Sequence, residues 1–63
     1  MVIADHFNQE DFENLMSDAR FFAQRVQDLN FVDDVDKRYR LLGMQAGLTD
    51  KQAAQLKDVG GWA

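Results

Sequence analysis

The 63-residue sequence predicts an all-α fold: a compact three-helix bundle with one long N-terminal helix and two shorter helices joined by tight turns. Apolar residues recur at the three- and four-residue spacing of amphipathic helices. The chain has no proline, and most of its four glycines lie next to predicted helix ends. Its hydrophobic content of 46% is ordinary for a globular domain and too high for a disordered one. We therefore expect residues 1–63 to form a single small helical domain.

The first helix is predicted over about residues 9–29. Asn8 has the side chain of a good N-cap, and Phe7 and Phe12 have the spacing of a hydrophobic staple across the helix start. Asn30 is the predicted stop. The side chains expected to form one core-facing stripe are Phe12, Leu15, Met16, Ala19, Phe22, Ala23, Val26 and Leu29.

Two shorter helices are predicted over about residues 34–46 and 50–58. The second helix begins in an acidic cluster that includes Asp33, and Gly47 is its predicted stop. The third helix opens with Thr49 and Gln52, which have the spacing of a capping box, and it ends before Gly60. The narrow stripe expected to face inward from the second helix is Val35, Tyr39, Leu42 and Ala46.

Phe21 breaks the pattern of the first helix. It lies roughly 160° from the middle of the apolar stripe, so its ring is predicted to point away from the core. Either a partner covers it, or Val2, Ile3 and Trp62 fold over it within the chain. Aromatic and arginine side chains dominate interface energetics. The predicted partner-binding residues are Phe21, Arg25, Arg40, Met44 and Trp62.

The chain carries a net charge of −4, which disfavours non-specific binding to nucleic acid and favours solubility or a partner with a basic surface. The acids predicted to steer such a partner are Glu10, Asp11, Glu13 and Asp18. No apolar run approaches the ~20 residues that a membrane helix needs. The first residues lack the basic segment and apolar core of a signal peptide, so we expect a cytoplasmic protein.

Catalysis, cofactors and metal ions are not predicted. The chain has one His and no Cys, Ser17 falls mid-helix and Thr49 is explained as a cap, so no nucleophile has an evident base. The acidic cluster Asp33, Asp34 and Asp36 lacks the alternating ligands and closing Glu of a calcium loop. We expect neither an enzyme nor a small-molecule substrate.

The sequence favours a small acidic protein-binding module, a regulator, inhibitor or accessory subunit that acts by occlusion or bridging. A homo-oligomeric structural module is the first alternative. A second class involves nucleic acid. Residues 43–56 resemble a helix-turn-helix core, with a turn at Gly47, although the following helix is short and nearly neutral. The acids could instead imitate a nucleic-acid backbone and inhibit a nucleic-acid enzyme.

Overall fold

A computed structural model describes residues 1–62 and confirms the all-α class. Three α-helices cover Gln9–Phe22 (α1), Val26–Leu42 (α2) and Asp50–Val59 (α3), and short 3₁₀ helices cover Ile3–Asp5 and Gly43–Gln45. The described residues contain no β-strand beyond one isolated bridge between Val2 and Gly47. They pack into a body of 27 × 21 × 20 Å. Ala63, part of the predicted domain, lies outside the described residues.

The start of α1 is as predicted. The Asn8 side chain accepts a hydrogen bond of 2.7 Å from the backbone N–H of Asp11. The rings of Phe7 and Phe12 lie 6.0 Å apart and close the staple. The side chains that α1 buries are Phe12, Leu15, Met16 and Ala19. Local capping and the first half of the predicted stripe therefore define this helix correctly.

The predicted end of the first helix is wrong. α1 ends at Phe22, Ala23 takes an extended conformation (φ −65°, ψ 122°), and α2 begins at Val26 instead of residue 34. A continuous helix over residues 9–29 would be roughly 32 Å long, whereas the longest dimension of the folded chain is 27 Å. The break lets α2 return along α1 and bury Val32 and Val35. The long helix is consequently α2, with 17 residues, and not the first.

The predicted end of the second helix is also wrong. Gly43 has φ 63° and ψ −146°, a conformation essentially restricted to glycine, and α2 therefore stops at Leu42 instead of continuing to Ala46. Residues 43–49 form a connection that starts with the 3₁₀ helix Gly43–Gln45. After this helix, the carbonyl of Ala46 accepts a backbone hydrogen bond from Ile3 and the N–H of Leu48 donates one to Met1, both 2.9 Å long. This connection replaces the tight turn at Gly47 that the helix-turn-helix pattern required.

The prediction for α3 is confirmed. Thr49 and Gln52 form both hydrogen bonds of the capping box, each 3.1 Å long, and the helix buries Ala53 and Leu56. The N-terminal segment contacts the start of α3 through His6. The Nε2 atom of His6 lies 2.9 Å from the carbonyl oxygen of Leu48, the residue before the N-cap Thr49.

The antiparallel course of α1 and α2 gives the molecule two distinct ends. One end holds the start of α1, the end of α2 and both 3₁₀ helices. The other end, which we call the elbow, holds the end of α1, the connection 23–25 and the start of α2. Between them lies a single core of Ile3, Phe7, Phe12, Leu15, Met16, Ala19, Val32, Val35, Ala46, Leu48, Ala53 and Leu56.

Candidate protein-docking surface

Large apolar side chains project from the elbow. Phe21 is 80% exposed, Phe22 53%, Val26 73% and Leu29 45%. The two phenyl rings meet edge to face, with centroids 5.1 Å apart and planes at 86°. We call these four residues the elbow surface. A concentration of exposed apolar side chains at one end of a small domain is typical of a site that contacts another molecule.

The helix break creates this surface. As far as Ala19, α1 keeps its apolar positions against the core, but beyond Ala23 the chain changes direction and the single stripe no longer applies. Phe22, Val26 and Leu29, predicted as core, are therefore exposed. In their place α2 packs a longer stripe against the core, made of Phe31, Val32, Val35 and Tyr39. The predicted start of the second helix at residue 34 had left Phe31 and Val32 outside this stripe.

Phe21 points away from the core, and the chain does not fold over it. Ile3 belongs to the core, with an exposure of 1%, and Val2 pairs with Gly47 at the opposite end of the molecule. Trp62 comes nearest among the candidate covers, because its indole is held on α1 one turn before Phe21. The phenyl ring nonetheless keeps four fifths of its surface open.

Trp62 is held by two hydrogen bonds, one of which reaches Asp18 on α1, three residues before Phe21. Its indole Nε1–H donates a 2.8 Å hydrogen bond to Oδ2 of Asp18, and its backbone N–H donates one of the same length to the carbonyl of Lys57. Gly61 makes the turn with φ 76°. The indole remains 40% exposed. It therefore presents an aromatic face beside the elbow while its polar atom is satisfied.

Polar residues frame the elbow surface. Arg25, the N-cap of α2, donates from Nε to Oδ2 of Asp28 at 3.1 Å. On the side facing α3, Phe22 and these two residues border an open groove whose other lining residues are Gln24, Gln27, Gln55, Asp58 and Val59. Leu29 lies in a separate, smaller depression with Arg20, Asn30, Val32 and Asp33. Both signs of charge are thus present around the apolar centre.

The other predicted partner-binding residues lie elsewhere. Arg40 and Met44 are at the far end of α2, roughly 20 Å from Arg25 at the helical rise. Met44, predicted to bind a partner, sits in the second 3₁₀ helix and packs on the core. Arg40 Nε pairs with Asp36 Oδ2 at 3.0 Å. Of the predicted set, Phe21 and Arg25 thus lie at the elbow, and Trp62 is held at Asp18, three residues before Phe21.

The predicted steering acids are spread along α1. Glu10 and Asp11 are exposed near its start, and only Asp18 lies near the elbow. Glu13 accepts a 2.8 Å hydrogen bond from the Tyr39 hydroxyl. That bond, followed by desolvation and by the negative charge of Glu13, raises the pKa of Tyr39 above its ordinary value of 10.0.

A smaller apolar patch occurs at the end of α2, where Leu41 is 83% and Leu42 61% exposed.

Among residues 1–62, no helix is long and apolar enough to cross a membrane. Within the same range, no group of three His, Asp or Glu side chains lies close enough together to hold a metal ion.

In comparisons with protein-family models, with curated proteins and with solved structures, the chain gives no match.

Proposed function

We propose that this chain is a protein-binding module, a small regulator, inhibitor or accessory subunit, that docks through its elbow surface. The observation that carries the proposal is the 80% exposure of Phe21, since phenylalanine is among the residues most often buried. Together with the edge-on ring of Phe22, it forms a protruding aromatic pair. Aromatic side chains that enter a partner's pocket supply much of the binding energy in protein interfaces.

The surroundings of this pair support an interface with another protein. Protein interfaces combine an apolar, aromatic centre with a polar rim, and arginine is enriched in them. Here the rim includes Arg25, Gln24 and Gln27, and the ion pair of Arg25 with Asp28 leaves the Arg25 side chain 73% exposed. The net charge of −4 adds a long-range attraction toward a basic partner, which increases the association rate more than the final affinity.

The proposed mechanism is occlusion or bridging. A chain of 63 residues has too little volume to enclose a large substrate, but an aromatic anchor lets it block a pocket or join two subunits. The anchor stands on α1, whose opposite face is locked into the core by Leu15 and Ala19, both fully buried. A rigid support of this kind lowers the entropic cost of binding.

The test is affinity capture from an extract of the source cells with the full chain as bait. Wild type is compared with Phe21→Ser and with the control Leu41→Ser, which removes an equally exposed apolar side chain at the other end of the molecule. We expect a protein that is retained by wild type and Leu41→Ser and is lost with Phe21→Ser. Circular dichroism should show the same helicity and thermal stability for all three chains, because neither residue contributes to the core.

Two results would contradict the proposal. One is a captured protein that Phe21→Ser retains as well as wild type does. The other is the unfolding of Phe21→Ser, which would make the ring a structural element of the chain.

A further inference from the structure

We infer that the elbow surface is occupied by a second copy of this chain, in an isologous dimer whose two-fold axis passes close to Phe21. The inference rests on the proposed function only in taking the elbow as a docking surface, and it names a second copy as what covers this surface when no other protein is bound. In such a dimer the same four apolar residues face their own symmetry mates. Phe21, the most exposed of the four with a neighbouring ring at its side, occupies the centre.

The apolar area available matches what a dimer of this size needs. Given the exposed fractions of Phe21, Phe22, Val26 and Leu29 and side-chain areas of the usual size, the elbow surface with the adjoining indole of Trp62 offers roughly 500 Å² of apolar surface. One side of a standard interface buries about 800 Å², of which roughly two thirds is apolar in homodimers. The apolar area of the elbow is therefore about equal to the apolar area that one subunit buries in a standard homodimer interface.

The rim has the charge pattern that self-pairing requires. A two-fold axis brings a rim against itself, so a rim of a single sign repels its own copy. Around the elbow, Arg20 and Arg25 have side chains that are 52% and 73% exposed, and the Asp33 side chain is 56% exposed. Each of these side chains has an ion-pair partner within its own chain, and its exposed part can still face the opposite charge of the other copy across the axis. If the elbow bound a basic protein through charge alone, its rim would be expected to carry acidic residues and no arginines.

Burial of the elbow also compensates for the small core. The chain has no Cys, so no disulfide stabilises it. Domains in this size range bury only about 60% of the surface of the unfolded chain, and oligomerisation is one of the ways in which such domains gain stability. The patch of Leu41 and Leu42 is a weaker candidate because it offers two apolar residues instead of four.

Sedimentation-velocity centrifugation of the full chain, from about 1 μM to about 1 mM, tests the inference over the affinity range of ordinary reversible dimers. We expect wild type to pass from monomer to dimer within this range. Phe21→Ser should raise the dissociation constant by at least about tenfold, as expected for a central aromatic anchor. Val26→Ser, a second change within the elbow surface, should weaken the dimer as well, whereas Leu41→Ser should dimerise like wild type.

Salt provides an independent check on the nature of the contact. Two copies with a charge of −4 each repel one another at long range, and added salt screens this repulsion. The dissociation constant of an apolar elbow dimer should therefore stay constant or fall as sodium chloride is added. A constant that rises steeply with salt would contradict an apolar interface.

Two further results would overturn the inference. The first is a wild-type chain that remains monomeric to about 1 mM, well above the dissociation constants of specific dimers. The second is a dimer that Leu41→Ser dissociates and Phe21→Ser leaves intact. In both cases the proposed function is decided separately, by whether Phe21→Ser abolishes capture of another protein.

Discussion

The guanidinium of Arg20 on α1 donates a 2.8 Å hydrogen bond to Oδ2 of Asp36 on α2. The same carboxylate oxygen lies 3.0 Å from Nε of Arg40, one turn further along α2. The Asp36 side chain is only 17% exposed, so this pair is less screened by water than an ordinary surface ion pair. This hydrogen bond joins α1 and α2 at a point away from the connection 23–25. It thereby helps to fix the orientation of the elbow surface relative to the core.

Asp36→Ala is expected to lower the free energy of unfolding by about 1 kcal/mol, because it leaves Arg20 and Arg40 close together without their shared anion. The matched control is Asp33→Ala. Asp33 pairs with Lys37 at 3.2 Å within α2, its side chain is 56% exposed, and it should cost a few tenths of a kcal/mol. Both changes replace Asp by Ala inside the same helix, so the difference in helix propensity cancels.

Urea denaturation followed by circular dichroism measures this difference. It should shrink in about 1 M salt, which screens partly exposed charges. Equal losses of stability for the two variants would show that the bond between α1 and α2 adds nothing beyond a pair within one helix.

The hydrogen bond between Asp18 and Trp62 yields a second prediction, at the border of the elbow. Asp18→Ala removes the acceptor of the indole N–H, and the indole should then move into water. Because the chain has a single Trp, its fluorescence reports this motion directly: the emission maximum should shift to longer wavelength and quenching by acrylamide should increase. Glu10→Ala, which removes an exposed carboxylate near the other end of α1, should leave the emission unchanged. An unchanged spectrum in Asp18→Ala would contradict the observed hydrogen bond.

The parts of the fold that depend on local chemistry could be predicted from the sequence. Asn8 and Thr49 cap their helices as expected, since each cap involves residues only three positions apart. The break between α1 and α2 has no such signature, because Ala23, Gln24 and Arg25 include neither Gly nor Pro. The break results from packing, because α2 must return along α1 to bury its own apolar face. Tertiary packing here overrides the helix propensity of residues 23–25, and no short segment of the sequence shows this.

The same distinction explains what could be predicted of the elbow. The outward direction of Phe21 depends on its angle relative to Ala19 around the axis of α1. Both residues lie within α1, so the break after Phe22 does not change this angle. The exposure of Phe22 and Val26 depends on the break itself and could not be inferred from a continuous stripe. At the end of α2, the sequence predicted Gly47 as the stop, and this prediction was wrong. The backbone decides for Gly43, whose φ is positive.

A third prediction concerns Tyr39, the only tyrosine of the chain. The hydrogen bond to Glu13, desolvation and the carboxylate charge raise its pKa above 10.0. Glu13→Gln removes the charge and weakens the bond, so the pKa of Tyr39 should move down toward its ordinary value. Absorbance of the phenolate during alkaline titration measures the change, and Glu10→Gln, which removes an acid that does not contact Tyr39, is the control.

The raised pKa also has a consequence for stability. A group whose pKa is higher in the folded state stabilises the fold fully below its unfolded pKa, and this contribution is lost as the pH rises through the folded pKa. The stability of wild type should therefore decline above pH 10.0, and Glu13→Gln should show a smaller decline. An identical alkaline loss in the two chains would mean that Glu13 does not act on Tyr39 in solution.

Gly60 and Gly47 give a matched pair for the packing of α3 on α1. Gly60 is buried, and a Cβ at this position would lie 2.8 Å from Cδ1 of Leu15 and 3.5 Å from the backbone nitrogen of Ala19. Leu15 is itself fully buried, so it has little room to withdraw. Gly60→Ala should therefore reduce the free energy of unfolding by about 1–3 kcal/mol, as overpacking does in other cores.

At Gly47, apart from the residue itself and its two chain neighbours, no heavy atom of the described residues lies within 4 Å of an added Cβ, and φ is not positive. Gly47→Ala should thus be neutral or slightly stabilising, because alanine restricts the unfolded chain more than glycine does. Urea and thermal denaturation of the two variants measure the contrast. If Gly60→Ala were as stable as Gly47→Ala, α3 could not lie as close to α1 as the structure places it. Trp62, which reaches Asp18 only because of that close approach, would then lose its position beside the elbow surface.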